Sequence, residues 1–333
     1  MKLTLTYRSL LTITAAALAS CAGAGSRYGV TPSSMASASM LGAPAGFHAT
    51  QSLAAPLRHG WLSPAALTTP VAYVSDFNGS VIDIYPANKN NPAPVGQITT
   101  GIASPLGNYV DRNGTLYVAN SSNGTVTEYP KGSTTPSVTL SNGISGPISV
   151  AVDRNGNVAV GEFANGTILE FPAGSSSPTV TITLLTLPEA LAFDRTGHLY
   201  AAWNVNTGSS LVGHVSKCEK LRAVCVDQGI AEGQSGGLAL DSAGNLILGD
   251  QTNHVINIYA PNTTSPKRTI TTSGQSPYKF ELNAREQKLY FADILTNKVE
   301  IYNYTTGTQF GTISSGLQSA WGVSLSPPAP YRP

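Results

Sequence analysis

The chain alternates short apolar blocks with tight polar turns, and the alternation keeps a fixed internal order. Its clearest instance begins Gly146-Pro-Ile-Ser-Val-Ala-Val152, where large apolar residues fall at every second position. A period of two predicts a strand. The turn Asp153-Arg-Asn-Gly156 follows, and its Asn-Gly pair suits a hairpin because both residues tolerate φ > 0. A second strand is predicted at residues 157–162, and the turn Phe163-Ala-Asn-Gly166 leads to a third, Thr167-Ile-Leu-Glu-Phe171. The Pro- and Ser-rich stretch 172–178 then leads to a fourth at residues 179–183. These strands are lettered A to D, from the crowded apolar one outward.

The unit recurs. Val110-Asp-Arg-Asn-Gly-Thr-Leu-Tyr-Val-Ala-Asn120 returns as Val152-Asp-Arg-Asn-Gly-Asn-Val-Ala-Val-Gly-Glu162. It returns again as Phe193-Asp-Arg-Thr-Gly-His-Leu-Tyr-Ala-Ala-Trp203 and as Leu240-Asp-Ser-Ala-Gly-Asn-Leu-Ile-Leu-Gly-Asp250. Asp111, Asp153, Asp194 and Asp241 stand 42, 41 and 47 residues apart. A period in the forties built from strand and turn predicts a β-propeller, because one such unit cannot bury its apolar face alone and must stack on its neighbours. Strand B is expected at residues 72–76, 116–120, 157–162, 199–203, 246–250 and 289–293, which makes six blades. No strand A precedes residue 72, but Trp321-Gly-Val-Ser-Leu-Ser326 supplies one at the far end. The fold class is therefore an all-β, six-bladed propeller whose C-terminal strand completes the first blade and removes the exposed sheet edges.

The pattern Pro–x–small–apolar–apolar–Asp–x–x–Gly–x–apolar–Tyr–Val–Ala–Asp/Asn, best seen over residues 105–120 and 289–293, resembles the NHL-repeat and gluconolactonase-like propellers. The resemblance spans residues 71–327. It implies a fold, and it leaves open whether the protein is an enzyme or an interaction module. Lactonases of that type hold a divalent metal with Glu, Asn and Asp from separate blades, in Glu-Gly-Pro and Asn-Asp contexts that this chain lacks. A lyase-like branch uses a catalytic histidine. The five histidines are scattered here: His48 and His59 precede the repeats, His198 and His254 sit in turns, and His214 lies on a strand. No catalytic residue or resident metal is assigned, although a divalent cation at the channel mouth is the enzymatic alternative.

Ahead of the repeats, Lys2 and Arg8 precede the apolar run 10–19, which ends in Leu18-Ala-Ser-Cys21. A run of ten residues falls short of the roughly 20 needed to span a bilayer, and the arrangement is that of an export signal. The tetrapeptide resembles a bacterial lipobox, which implies cleavage after residue 20 and lipidation of Cys21. Residues 21–70 are rich in Ala, Ser, Gly and Pro and read as a tether, of which Leu57-Arg-His-Gly-Trp61-Leu62 could lie along the propeller wall, leaving 71–333 as the propeller. The expected location is the bacterial cell envelope, at the outer membrane, since no acidic residue follows Cys21 as an inner-membrane retention signal.

Charged residues make up 11% of the chain and the formal net charge is +1. Without clustered Lys and Arg there is no counterion release to drive nucleic-acid binding. The expected partners are the membrane, through the anchor, and an envelope protein, glycan or small ligand; the chain is expected to be a monomer. Cys218 and Cys225 bracket Glu219-Lys-Leu-Arg222 between two predicted strands, and an exported chain is oxidised. A hairpin disulfide follows, with Cα atoms expected about 4.4–6.8 Å apart.

Strand B ends in Asp76, Asn120, Glu162, Asp250 and Asp293, with Trp203 in the fourth unit. Asp250 and Asp293 thus belong to a ring of side chains at the channel mouth that could take a cation or a polyhydroxylated ligand. Recurrence in nearly every blade favours a humbler role, capping the B-to-C turn. Departures from the repeat are more informative. Glu189 starts strand A of the fourth blade where other blades carry small residues, and Tyr278 and Trp321 occupy equivalent positions two and three blades on. With Trp203 they outline an aromatic, acid-edged cleft suited to a sugar or peptide. The alternative has Trp321 packing under the closing strand and Tyr278 plugging the channel.

Overall fold

The computed structural model describes residues 59–183 and 187–329. Six antiparallel sheets are arranged as blades. Blades 2 to 6 have inner strands Pro105–Val110, Pro147–Val152, Pro188–Phe193, Ser235–Leu240 and Pro277–Leu282, each leading outward through three more strands. Their second strands are Leu116–Asn120, Val158–Glu162, Leu199–Asn206, Leu246–Asp250 and Lys288–Asp293. In blade 1 the order from the axis is Ala320–Ser326, Val71–Asp76, Val81–Pro86 and Gly96–Ile98. The closing strand is therefore C-terminal as expected, with Val74 opposite Val323 and Ala72 opposite Leu325.

The repeated aspartates build the turn between inner and second strands. Asp153 Oδ1 accepts the N–H groups of Asn155 at 2.8 Å and Asn157 at 2.9 Å. Asp111 does the same for Asn113 and Thr115, Asp194 for Thr196 and His198, and Asp241 for Ala243 and Asn245. Gly114 and Gly156 complete two of these turns at φ 85°, where a side chain would strain the backbone.

Each interface between adjacent blades holds its own apolar cluster. Val150, Val152, Val158 and Val160 of blade 3 meet Tyr109, Tyr117 and Val126 of blade 2, and the other interfaces repeat the scheme. At the seam, Tyr290, Val299 and Ile301 of blade 6 pack against Val74, Tyr85, Val323 and Leu325 of blade 1. The core is thus a ring of six wedges around the axis.

Two features depart from the repeat. The expected tether ran to residue 70, yet Trp61–Leu62 pairs with Gly96 and Gln97 as a fifth strand on blade 1. The short helix Pro64–Thr68 returns the chain to Val71. No helix among the described residues is long and apolar enough to cross a membrane.

Blade 4 carries the second departure. Cys218 and Cys225 are bonded and directly opposed in register, and their Cα atoms lie 3.9 Å apart, below the expected range. The clamped turn docks on blade 3, where Lys220 Nζ lies 3.8 Å from Asp153 Oδ2. A seven-residue separation closes only a small loop, for which chain entropy gives about 2–3 kcal/mol. We expect Cys218→Ser/Cys225→Ser to fold with a melting temperature lower by several degrees, and the unreduced parent to show no reactive thiol at these positions.

Two carboxyls at blade interfaces titrate unusually. Burial pushes Glu170 up to about 7, aided by the charge of Asp153 and opposed by a bond from the Leu221 N–H. Burial likewise lifts Glu232 to about 7, against bonds from Asn257 and Tyr259. A raised folded pKa means the native state holds a proton that the unfolded chain has released. The resulting stability is complete below the ordinary value of 4.5 and is lost as pH rises through about 7. Thermal melts should therefore show lower stability at pH 8 than at pH 5.5, and Glu170→Gln/Glu232→Gln should flatten that difference.

Candidate functional site

The mouth of the channel is built by a recurring irregularity in the inner strands. Pairing with the second strand slips near the start of every one of them, at Ile148, Glu189, Lys279 and Trp321 and at the pairs Leu106–Gly107 and Gly236–Gly237. Such bulges re-aim side chains. Here they deliver a contrasting set to the axis. Leu106, Ile148 and Trp321 form one apolar cluster with Phe77 and Phe163. Across from them stand Glu189, Tyr278 and Lys279.

Contacts between blades 4 and 6, which are not neighbours in the ring, locate the polar half at the axis. The Tyr278 hydroxyl donates to Glu189 Oε2 at 3.1 Å. Lys279 Nζ donates to the Glu189 carbonyl oxygen and lies 4.3 Å from the centre of the Tyr278 ring. Tyr278 in turn meets Trp321 edge-on with ring centres 5.7 Å apart. Glu189 and Lys279 are both buried. Burial pushes the Glu189 carboxyl up, against the Lys279 charge and hydrogen bonds from Tyr278 and Asn204. Burial pulls the Lys279 ammonium down to about 8, against the attraction of Glu189.

Asn204 ties this group to blade 5. Its side chain exchanges two hydrogen bonds with the Ser235 backbone, at 2.7 and 3.2 Å. Trp321 alone among these aromatic and charged groups is partly exposed. The mouth is therefore a filled plug with one tryptophan at its surface. Below it, a cavity of about 70 Å³ runs between the inner strands, enough for a few waters.

Of the expected cleft residues, Glu189, Tyr278 and Trp321 do come together. Trp203 does not join them. It packs with Ala151, Ile168 and Phe193 between blades 3 and 4, donates its Nε1–H to Ser216 Oγ at 3.0 Å, and stacks on His214. Asp250 and Asp293 are engaged with the backbone. Asp250 accepts from the Gly233 and Asn253 N–H groups, both at 2.9 Å, and Asp293 from those of Ser276 and Leu295 at 3.0 and 3.1 Å. Asp76 holds Gly79 and Ser319 in the same way. These carboxylates staple the loop leading into the inner strand to the turn after the second strand.

Among the described residues, no three His, Cys, Asp or Glu side chains gather to hold a metal ion. Cys21, the expected lipidation site, lies outside the described residues.

Lys279 and Asn204 escaped the sequence reading. Lys279 had a signal: the other blades place Gly107, Ser149, Ala190, Gly237 and Gly322 at its position. A lysine among small residues on an inner strand is the larger departure.

No family model matches the chain, and no curated protein matches it by sequence. Solved structures do. A chain of a nidogen/laminin complex superposes with a TM-score of 0.63 at 15% identity, covering 77% of this chain and 98% of that one. Kuenenia stuttgartiensis hydrazine synthase gives 0.54 at 15% identity, over 79% and 80%. The shared feature is the fold: this chain is a six-bladed β-propeller. At such identity nothing about activity carries across.

Proposed function

We propose that the protein is an exported, lipid-anchored propeller that acts as a binding module for an envelope protein or glycan, with Trp321 as the anchor of its upper face. The observation that carries this reading is the state of the mouth. Its carboxylates serve as backbone staples and its buried acid accepts from the Tyr278 hydroxyl, with the Lys279 ammonium on the Glu189 backbone carbonyl, while Trp321 stays partly exposed beside the Tyr278–Glu189 pair. A partly exposed indole beside a polar rim suits recognition of a sugar ring or an aromatic peptide side chain. The similar nidogen/laminin structure is itself a complex of two proteins.

Export is supported by Lys2, Arg8, the apolar run and Leu18-Ala-Ser-Cys21, and by the Cys218–Cys225 bond, which suits an oxidising compartment. The spacing of the repeats supports kinship with NHL-type propellers. We expect Cys21→Ala to move the protein from the membrane to the soluble fraction of a cell lysate. Trp321→Ala should fold and lose at least tenfold in affinity for envelope oligosaccharides or extracted envelope proteins. Unchanged retention of every such component by the variant would contradict the assignment of the mouth as the binding face.

A further inference from the structure

The face opposite the mouth carries a second cavity, of about 480 Å³, at the seam where the ring closes. Its walls come from the inner-to-second turn of blade 6 and from the strand ends of blade 1. The volume lies within the roughly 300–1,000 Å³ of small-molecule sites.

Its charge is one-sided. Arg285 and Lys288 line it, and no carboxylate does. In blades 2 to 5 this turn begins with Asp111, Asp153, Asp194 or Asp241; in blade 6 the position is Asn283, a neutral amide whose oxygen accepts from the N–H groups of Gln287 and Lys288 in a turn one residue longer. On the blade 1 side the corresponding turn is replaced by Ser326 and Pro327. The single acid in the blade 6 turn, Glu286, faces away and binds the Ser242 N–H at 2.7 Å and hydroxyl at 2.6 Å. Neither Arg285 nor Lys288 forms an ion pair among the described residues. Lys288 instead rests its ammonium over the Phe310 ring, 3.5 Å from its centre. The remaining walls combine the amides of Asn88 and Gln287 with apolar surface from Pro70 and Leu325.

We infer that this seam cavity is a binding site for a small ligand carrying a carboxylate, phosphate or sulfate on a sugar-like or apolar body. Arg285 offers a planar donor fork to the oxyanion, Lys288 a second cation, the amides bond hydroxyls, and the apolar wall takes the ring. The site lies on the opposite face from Trp321, and its assignment is independent of the binding role proposed for the mouth.

Titration calorimetry on the full chain tests the inference with three probes: glucuronate, phenyl phosphate and glucose. At least one anionic probe should bind, glucose should bind at least tenfold more weakly, and rising salt should weaken the anion. Preference between the two anions tells a sugar acid from a phosphorylated ligand. Arg285→Gln/Lys288→Gln should weaken the bound anion at least tenfold while Trp321→Ala leaves it unchanged. Both side chains reach solvent, so the double variant should keep the parent melting temperature. If it does not, Arg285→Gln alone carries the comparison. Absence of anion binding, equal binding of glucose, or full affinity in the charge-removed variant would overturn the site.

Discussion

A chain ending at Ser319 is expected to lose cooperative folding. Removing Ala320–Ser326 strips Val71–Asp76 of its inner partner along six residue pairs. It also withdraws Val323 and Leu325 from the seam cluster of Val74, Tyr85 and Tyr290. Burying an aliphatic side chain contributes about 1.5–3 kcal/mol, and each ladder hydrogen bond about 1 kcal/mol net. Together with the lost contact to blade 2, where Gly322 sits so close that an added Cβ would lie 2.3 Å from the Leu106 carbonyl, the deficit reaches on the order of 10 kcal/mol. That matches the whole stability of an ordinary domain, about 5–15 kcal/mol. Circular dichroism should show no sharp thermal transition for the truncated chain. A control ending at Ala329, which keeps every described residue, should melt like the parent. Equal melting of both would mean that the ring does not depend on its last strand.

That strand was legible because the repeat could be counted: six second strands with five preceding inner ones leave a vacancy that Trp321-Gly-Val-Ser-Leu-Ser326 fills. The turns were legible too, since an Asp followed by Asn-Gly or Thr-Gly carries its own hydrogen-bonding instruction. That Trp61–Leu62 touches the propeller wall could be read, but its strand pairing was hidden for the opposite reason. Two residues have no period, and their pairing is set by the open edge of Gly96–Ile98 rather than by their own pattern.

The mouth was half legible. Glu189, Tyr278 and Trp321 stood out as the acidic and aromatic residues at a repeated position that holds Leu106 and Ile148 in blades 2 and 3 and Gly236 in blade 5, and all three meet at the axis. What alternation could not convey is where a bulge aims a side chain. Lys279 has φ 47°, a left-handed backbone that no simple strand pattern announces. For Trp203 the difficulty was rotation about the strand. An indole at that position reads alike whether it faces the axis or the neighbouring blade, and the space beside Ala151 and Ile168 takes it. Asp250 and Asp293 looked equally suited to ligand or turn until their backbone donors were in view.

Separating the two buried charges at the mouth is expected to be the most costly point change in the protein, with opposite pH signatures for the two halves. The Lys279 ammonium donates to the Glu189 backbone carbonyl rather than to its carboxylate, but each charge offsets the burial of the other. Removing one leaves the other uncompensated, at a cost of up to about 3–5 kcal/mol if the pair behaves like a buried ion pair. For a body of this size that is a fall of roughly 6–20 °C in melting temperature. Lys279→Met leaves the Glu189 carboxyl in a site where burial already raises it. The stranded acid escapes by taking a proton, so the native state binds more protons than the unfolded chain and stability falls as pH rises. Glu189→Gln instead leaves the Lys279 ammonium, which burial already lowers to about 8. It escapes by releasing its proton while the unfolded chain keeps one, so stability rises with pH. The double variant Glu189→Gln/Lys279→Met buries no charge and should recover most of the loss with little pH dependence across this range from the pair. Thermal melts of all four proteins between pH 5 and pH 9 decide the matter. Parallel profiles for the two single variants, or additive losses in the double, would show that the two groups do not act as a pair.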